Sequence, residues 1–96
     1  MTNKDEQLVR MLATLGHPTR LKIVQFLAGR PESDVGRITR AVRASQPNTS
    51  HHLGLLKLAG LVESVRVGRR KLYSAKSGRL LVVAAALGTL SHRASC

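Results

Sequence analysis

Along most of the chain apolar residues recur every three or four positions, the spacing of helices that bury one face. Leu8, Met11, Leu12 and Leu15 predict a first helix over about Lys4–Leu15, with Asn3 and Glu6 at capping-box spacing and Gly16 closing it. Pro18 suits a first helical position and opens a second helix, PTRLKIVQFLAG, with Leu21, Val24, Leu27 and Ala28 inward and Gly29 at its end. After the loop GRPES, Ser33 or Asp34 caps a third helix, DVGRITRAV, whose apolar side is Val35, Ile38, Ala41 and Val42. A tight RAS connection leads to a fourth, SQPNTSHHLGLLKLAG, with Ser45 as N-cap and Gly60 past its end.

The period then changes. Leu61, Val62 and Val65, then Leu72 and Tyr73, flank a glycine with basic neighbours, and these two short runs predict a β-hairpin. Ser77 caps a last helix from about Gly78 to His92, with Leu80, Val83, Ala84, Leu87 and Leu90 as its stripe. The predicted fold is mainly α with a small β-hairpin, in the order α-α-α-α-β-β-α. Two helices joined by a tight turn just before a basic hairpin make a winged helix-turn-helix, expected as one domain over 1–96.

Composition sharpens this picture. The chain has 96 residues, 43% of them hydrophobic, and a formal charge of +11. The apolar content excludes a disordered basic tail, and the charge calls for a polyanionic partner. The excess is localised: Val35 to Leu80 holds ten basic residues and a single acid, Glu63. No apolar signal core is present, and the run LLVVAAALGTL at 80–90 is too short to cross a bilayer. A cytoplasmic protein without membrane association is expected. Cys96 is the only cysteine, so no disulfide forms within one chain; a Cys96–Cys96 bridge between subunits, or a half-site with His92, stays open. No nucleophile–base–acid set and no phosphate-binding glycine loop is present, which argues against an enzyme, and no cofactor is implied.

At about 100° per residue, Thr49, Leu53 and Leu56 share the core side of the fourth helix, while Pro47, Ser50, His51 and Gly54 lie opposite. Recognition helices read base edges from their first turns. The expected reading set is Gln46, Pro47, Asn48, Ser50 and His51. Gln46 suits adenine, Ser50 donates or accepts, and His51 reaches an acceptor such as guanine N7. Pro47 either touches a thymine methyl or only starts the helix. His51 and His52 diverge by about 100°, which does not suit one metal ion. His52 is expected to be packed and hydrogen-bonded, and His17 to cap a helix or lie at the surface. Arg66, Arg69, Arg70 and Lys71 on the hairpin, with Arg37 and Arg40 on the third helix, are expected on phosphates or in the minor groove. Arg43 flanks the turn.

The segments LGHPTRLKIVQFLA at 15–28, ASQPNTSHHLGLLKLAGLV at 44–62 and VGRRKLYS at 67–74 resemble the ArsR (arsenic-repressor) family of bacterial winged-helix regulators. The resemblance runs from about Leu12 to Ser74 and, more loosely, over the last helix, and implies a homodimer that binds double-stranded operator DNA and usually represses. It implies pairing through the first and last helices, which makes Leu8, Met11, Leu12, Leu80, Val83, Ala84 and Leu87 the expected dimer interface. It also places Gln46, Pro47, Ser50 and His51 toward the groove. Many relatives carry a metal-binding cysteine pair at the start of the third helix; Asp34 and Gly36 stand there in this chain. The acidic and histidine ligands that others carry on the last helix are reduced to His92, so no metal is expected and no effector is named. The rival reading is a sequence-tolerant architectural DNA binder; RNA and anionic membranes fit less well, because Phe26 and Tyr73 are the only aromatics of the Phe, Trp and Tyr class.

Overall fold

The computed structural model describes residues 2–94; Met1, Ser95 and Cys96, and with them the readings of Cys96, lie outside. Five helices and three strands follow in the order α1 (Asn3–Leu15), α2 (Pro18–Leu27), β1 (Ser33–Asp34), α3 (Val35–Val42), α4 (Gln46–Leu58), β2 (Val62–Val67), β3 (Arg70–Ala75) and α5 (Ser77–Ala94). This is a winged helix-turn-helix. It departs from the expected order by one strand: β1 pairs antiparallel with β3, Ser33 opposite Tyr73 and Asp34 opposite Leu72, so the wing is a three-stranded sheet in the order β1-β3-β2. Two residues carry no periodicity that a pattern can register.

Local chemistry explains most of the boundaries. The capping box of α1 lies one residue earlier than the sequence suggested: Thr2, not Asn3, is the N-cap. Its hydroxyl accepts from the Asp5 N–H at 3.2 Å, and the Asp5 carboxylate accepts from the Thr2 N–H at 3.2 Å. His17 caps α2 by accepting from the Thr19 N–H. Asp34 caps α3, and Ser45 caps α4 by accepting from the Asn48 N–H at 3.2 Å. The far end of α4 closes as a Schellman motif. Leu61 N–H reaches the Leu56 carbonyl and Gly60 N–H the Lys57 carbonyl, both at 3.0 Å, with Gly60 at φ 79°.

Residues from every helix and from the sheet fill the core: Met11, Ile23, Val24, Leu27, Ile38, Val42, Leu53, Leu56, Leu61, Val62, Tyr73 and Val83 are buried. In α2 the buried face is Ile23, Val24 and Leu27. Leu21 and Ala28, expected inward, are exposed, because Leu21 stands about 200° around the helix from Ile23. Ala41 of α3 is likewise exposed, and Ile38 and Val42 alone anchor that helix deeply. Among the described residues no helix is long and apolar enough to cross a membrane.

Candidate nucleic-acid interface

The turn between α3 and α4 is three residues long, Arg43 to Ser45. Arg43 makes it by adopting the left-handed conformation, φ 56°, with its N–H on the Thr39 carbonyl. From there α4 is seated by Thr49, Leu53 and Leu56, all fully buried, and the Thr49 hydroxyl donates to the Ser45 carbonyl at 2.9 Å. That seating sets the phase of the helix. Pro47, Ser50, His51 and Gly54 emerge on the opposite side, and Gln46 and Asn48 are exposed in the first turn. No heavy atom lies within 4 Å of where a Cβ on Gly54 would stand, so the backbone there is open to a close approach.

The wing supplies the charge. Val67 pairs with Arg70, so Gly68 and Arg69 form a two-residue loop, and Gly68 at φ 63° takes the positive dihedral that such a loop needs at its first position. Arg66 and Lys71 are direct cross-strand partners, and Arg69 and Arg70 follow at the tip; all four are exposed. Like charges facing each other across a ladder are unfavourable unless an anion lies between them. Ser50 of α4, Asp34 and Gly36 at the start of α3, and Arg69, Arg70 and Lys71 of the wing line one cleft, so the helix and the wing share a surface. Arg37 and Arg40 of α3 are exposed as well.

Two basic residues are partly committed elsewhere. Arg70 forms an ion pair with Asp34, which ties the wing to the α3 N-cap. The hydrogen bond from Arg37 N–H and the Arg70 guanidinium together hold the Asp34 carboxyl below the usual carboxylate range. Lys57 Nζ donates to the Ser64 hydroxyl at 2.8 Å and so braces α4 against β2. The Asp34–Arg70 link joins positions 36 residues apart and had no signal in the sequence.

The histidines separate as their spacing requires. His51 is exposed beside Ser50, whereas His52 is half-buried against the α2 cap, its ring centroid 4.5 Å from that of His17. His52 is packed but not hydrogen-bonded at Nδ1, which is buried without a partner; the expectation of a satisfied histidine is corrected to that extent. Burial, then the charges of His17, Arg20 and His51, push its pKa below the ordinary imidazole value. Among the described residues no group of three or more His, Cys, Asp or Glu side chains is placed to hold a metal ion.

The terminal helices show a broad apolar surface. Met11 and Val83 are already buried within the chain, and Leu8 and Leu80 are partly covered. Leu12, Ala84 and Leu87 are exposed, and so are Val9, Leu81, Val82 and Leu90, which the periodicity had not all singled out.

Comparison with known proteins agrees with this architecture. The pattern of the bacterial regulatory protein, arsR family, matches residues 17–64, half of the chain. The HTH-type transcriptional regulator YgaV of Escherichia coli K12 is 37% identical over 82 residues, which cover 85% of this chain and 83% of that protein. The crystal structure of the transcriptional repressor BigR from Xylella fastidiosa superposes with a TM-score of 0.70 at 32% identity, covering 94% of this chain and 96% of that one. The solution structure of the homodimeric winged helix-turn-helix DNA-binding domain of Mb0332 from Mycobacterium bovis superposes with a TM-score of 0.74 at 25% identity, covering 100% and 94%. These relatives are regulators, not enzymes. By its matched segment, its sequence relatives and its wing, the chain belongs to the ArsR family of bacterial regulatory proteins, transcriptional regulators built on the winged helix-turn-helix.

Proposed function

We propose that the protein is a homodimeric repressor that binds an inverted-repeat operator in double-stranded DNA. Residues 45–59 enter the major groove, and the 62–74 wing lies on the backbone or in the minor groove. One observation carries this reading: the buried Thr49–Leu53–Leu56 face turns Pro47, Ser50 and His51 outward, with Gln46 and Asn48 exposed in the first turn, beside a wing tip of opposed basic residues. Base edges are read by the first set. Phosphates are held by Arg66, Arg69, Arg70 and Lys71, with Arg37 and Arg40 flanking. Dimerisation follows from the exposed apolar side chains of α1 and α5, with Leu8, Met11, Leu80 and Val83 forming the floor beneath Leu12, Ala84 and Leu87. The chain then acts as a single domain whose terminal helices pair, in the cytoplasm where operator DNA is found. Repression is carried over from the Xylella relative BigR, a transcriptional repressor.

The test is discrimination. Fluorescence anisotropy on a preferred duplex and on its scrambled counterpart is measured for the wild type and for Gln46→Ala, Ser50→Ala and His51→Ala. A specific reader loses about 1–3 kcal/mol of discrimination at the base each side chain reads. An architectural binder, which relies on charge alone, binds all duplexes alike before and after the substitutions.

A further inference from the structure

The contact between His17 and His52 has no part in the DNA-reading surface, yet it joins the cap of one helix to the flank of the helix that reads. His17 Nδ1 accepts from the Thr19 N–H at 3.2 Å, so in its neutral form the ring carries its proton on Nε2. His52 lies against it with ring centroids 4.5 Å apart and planes tilted by 39°, and its own Nδ1 is buried without a hydrogen-bond partner. His51 lies on the other side, its centroid 5.6 Å from that of His52. The groups whose charge acts on His52 are His17 and Arg20 from the α2 end and His51 from its own helix; none of them is a carboxylate. Arg20 is held in place by a hydrogen bond from Nε to the Thr14 carbonyl at 2.6 Å.

We propose that the His17–His52 contact is a proton-sensitive latch that holds α4 in its DNA-reading position and releases it on protonation. With both rings neutral the cap is intact and the stack is uncharged. A proton on His52 Nδ1 creates a buried N–H with no acceptor, among groups that are all basic. That penalty is relieved when α4 moves away from the α2 cap, and the movement displaces Ser50 and His51 on the same helix. Specific binding is therefore expected to weaken in acid, while non-specific binding, which relies on the permanent charge of the wing arginines, is retained.

This inference rests on the proposed DNA-reading role of α4, and the experiment separates the two. Affinity for a preferred duplex and for scrambled DNA is measured with the full chain between about pH 8 and about pH 5.5, across the range where histidine titrates. The ratio of the two affinities should fall below about pH 6.5, by at most about tenfold per pH unit for each proton taken up. His52→Gln should keep the ratio at its alkaline value throughout. His17→Ser, which retains a capping hydroxyl, should weaken the pH dependence. The histidine resonances are followed by NMR without DNA. His52 in the wild type should titrate below about pH 6.5, together with the amides of α4, and its midpoint should rise in His17→Ser. Specific binding with a ratio flat in pH, or a fall that persists in His52→Gln, overturns the latch. Absence of a preferred duplex at every pH overturns the functional reading instead. The α4 amides then decide the latch alone: it stands if they follow the His52 titration and falls if they do not.

Discussion

Truncating Leu53 to alanine should cost about 3–4 kcal/mol of stability, whereas the same truncation at Leu58, five positions along the same helix, should cost less than about 0.5. Leu53 is 0% exposed and sits between Thr49 and Leu56 on the face that seats α4; Leu58 is 80% exposed. Three carbons leave the core in Leu53→Ala, worth about 2.4 kcal/mol at about 0.8 per methyl or methylene group. A cavity that fails to collapse adds up to about 1.5 kcal/mol. For a domain of this length that lowers the melting temperature by about 12–32 °C. Urea and thermal melts followed by circular dichroism measure it, at one fixed protein concentration because association contributes to apparent stability. Equal losses at the two positions, or a loss under about 1 kcal/mol at Leu53, would refute the assignment of this face as the one that orients the reading surface.

Other outcomes follow from the wing and its ties. Arg69→Ala and Lys71→Ala should each weaken binding to all duplexes alike and lower the slope of log affinity against log salt by about one, read from anisotropy titrations at several ionic strengths. Gly68→Ala should cost about 1–2 kcal/mol in a urea melt, since φ 63° disfavours a Cβ even though the space around it is open. Asp5 and Asp34 both have carboxyl pKa values held below 3.8, by the Thr2 hydrogen bonds and by Arg37 N–H with Arg70 respectively. Their stabilising contribution is present above that value and is lost as pH falls through the lowered folded-state pKa. Asp34→Asn, which can still cap α3, should remove the Asp34 part of this acid sensitivity, and melts across the acid range test it.

The exposed side of α4 was legible because the helix obeys strong local rules. Ser45 caps it, Pro47 fits its first turn, and Thr49, Leu53 and Leu56 share one side, so the outward position of Pro47, Ser50 and His51 follows from phase, while Gln46 and Asn48 are exposed by their place in the first turn. The hairpin was legible from Gly68 between β-branched runs. The phase of α2 was not, because Leu21, Ile23, Val24, Phe26 and Leu27 surround the helix and apolarity alone selects no face. Packing against the other helices selects Ile23 and leaves Leu21 outside. Arg43 carries no sign of its left-handed conformation, which glycine or asparagine would have announced. The β1 pairing, the Asp34–Arg70 ion pair and the His17–His52 stack all join residues distant in the chain, and only folding brings them together.

If α4 and the wing of a dimer read DNA sequence, selection of bound fragments from a random double-stranded pool by the purified protein should enrich an inverted repeat whose half-sites lie about one helical turn, or about 10–10.5 base pairs, apart. Enrichment of fragments with no shared motif would contradict it.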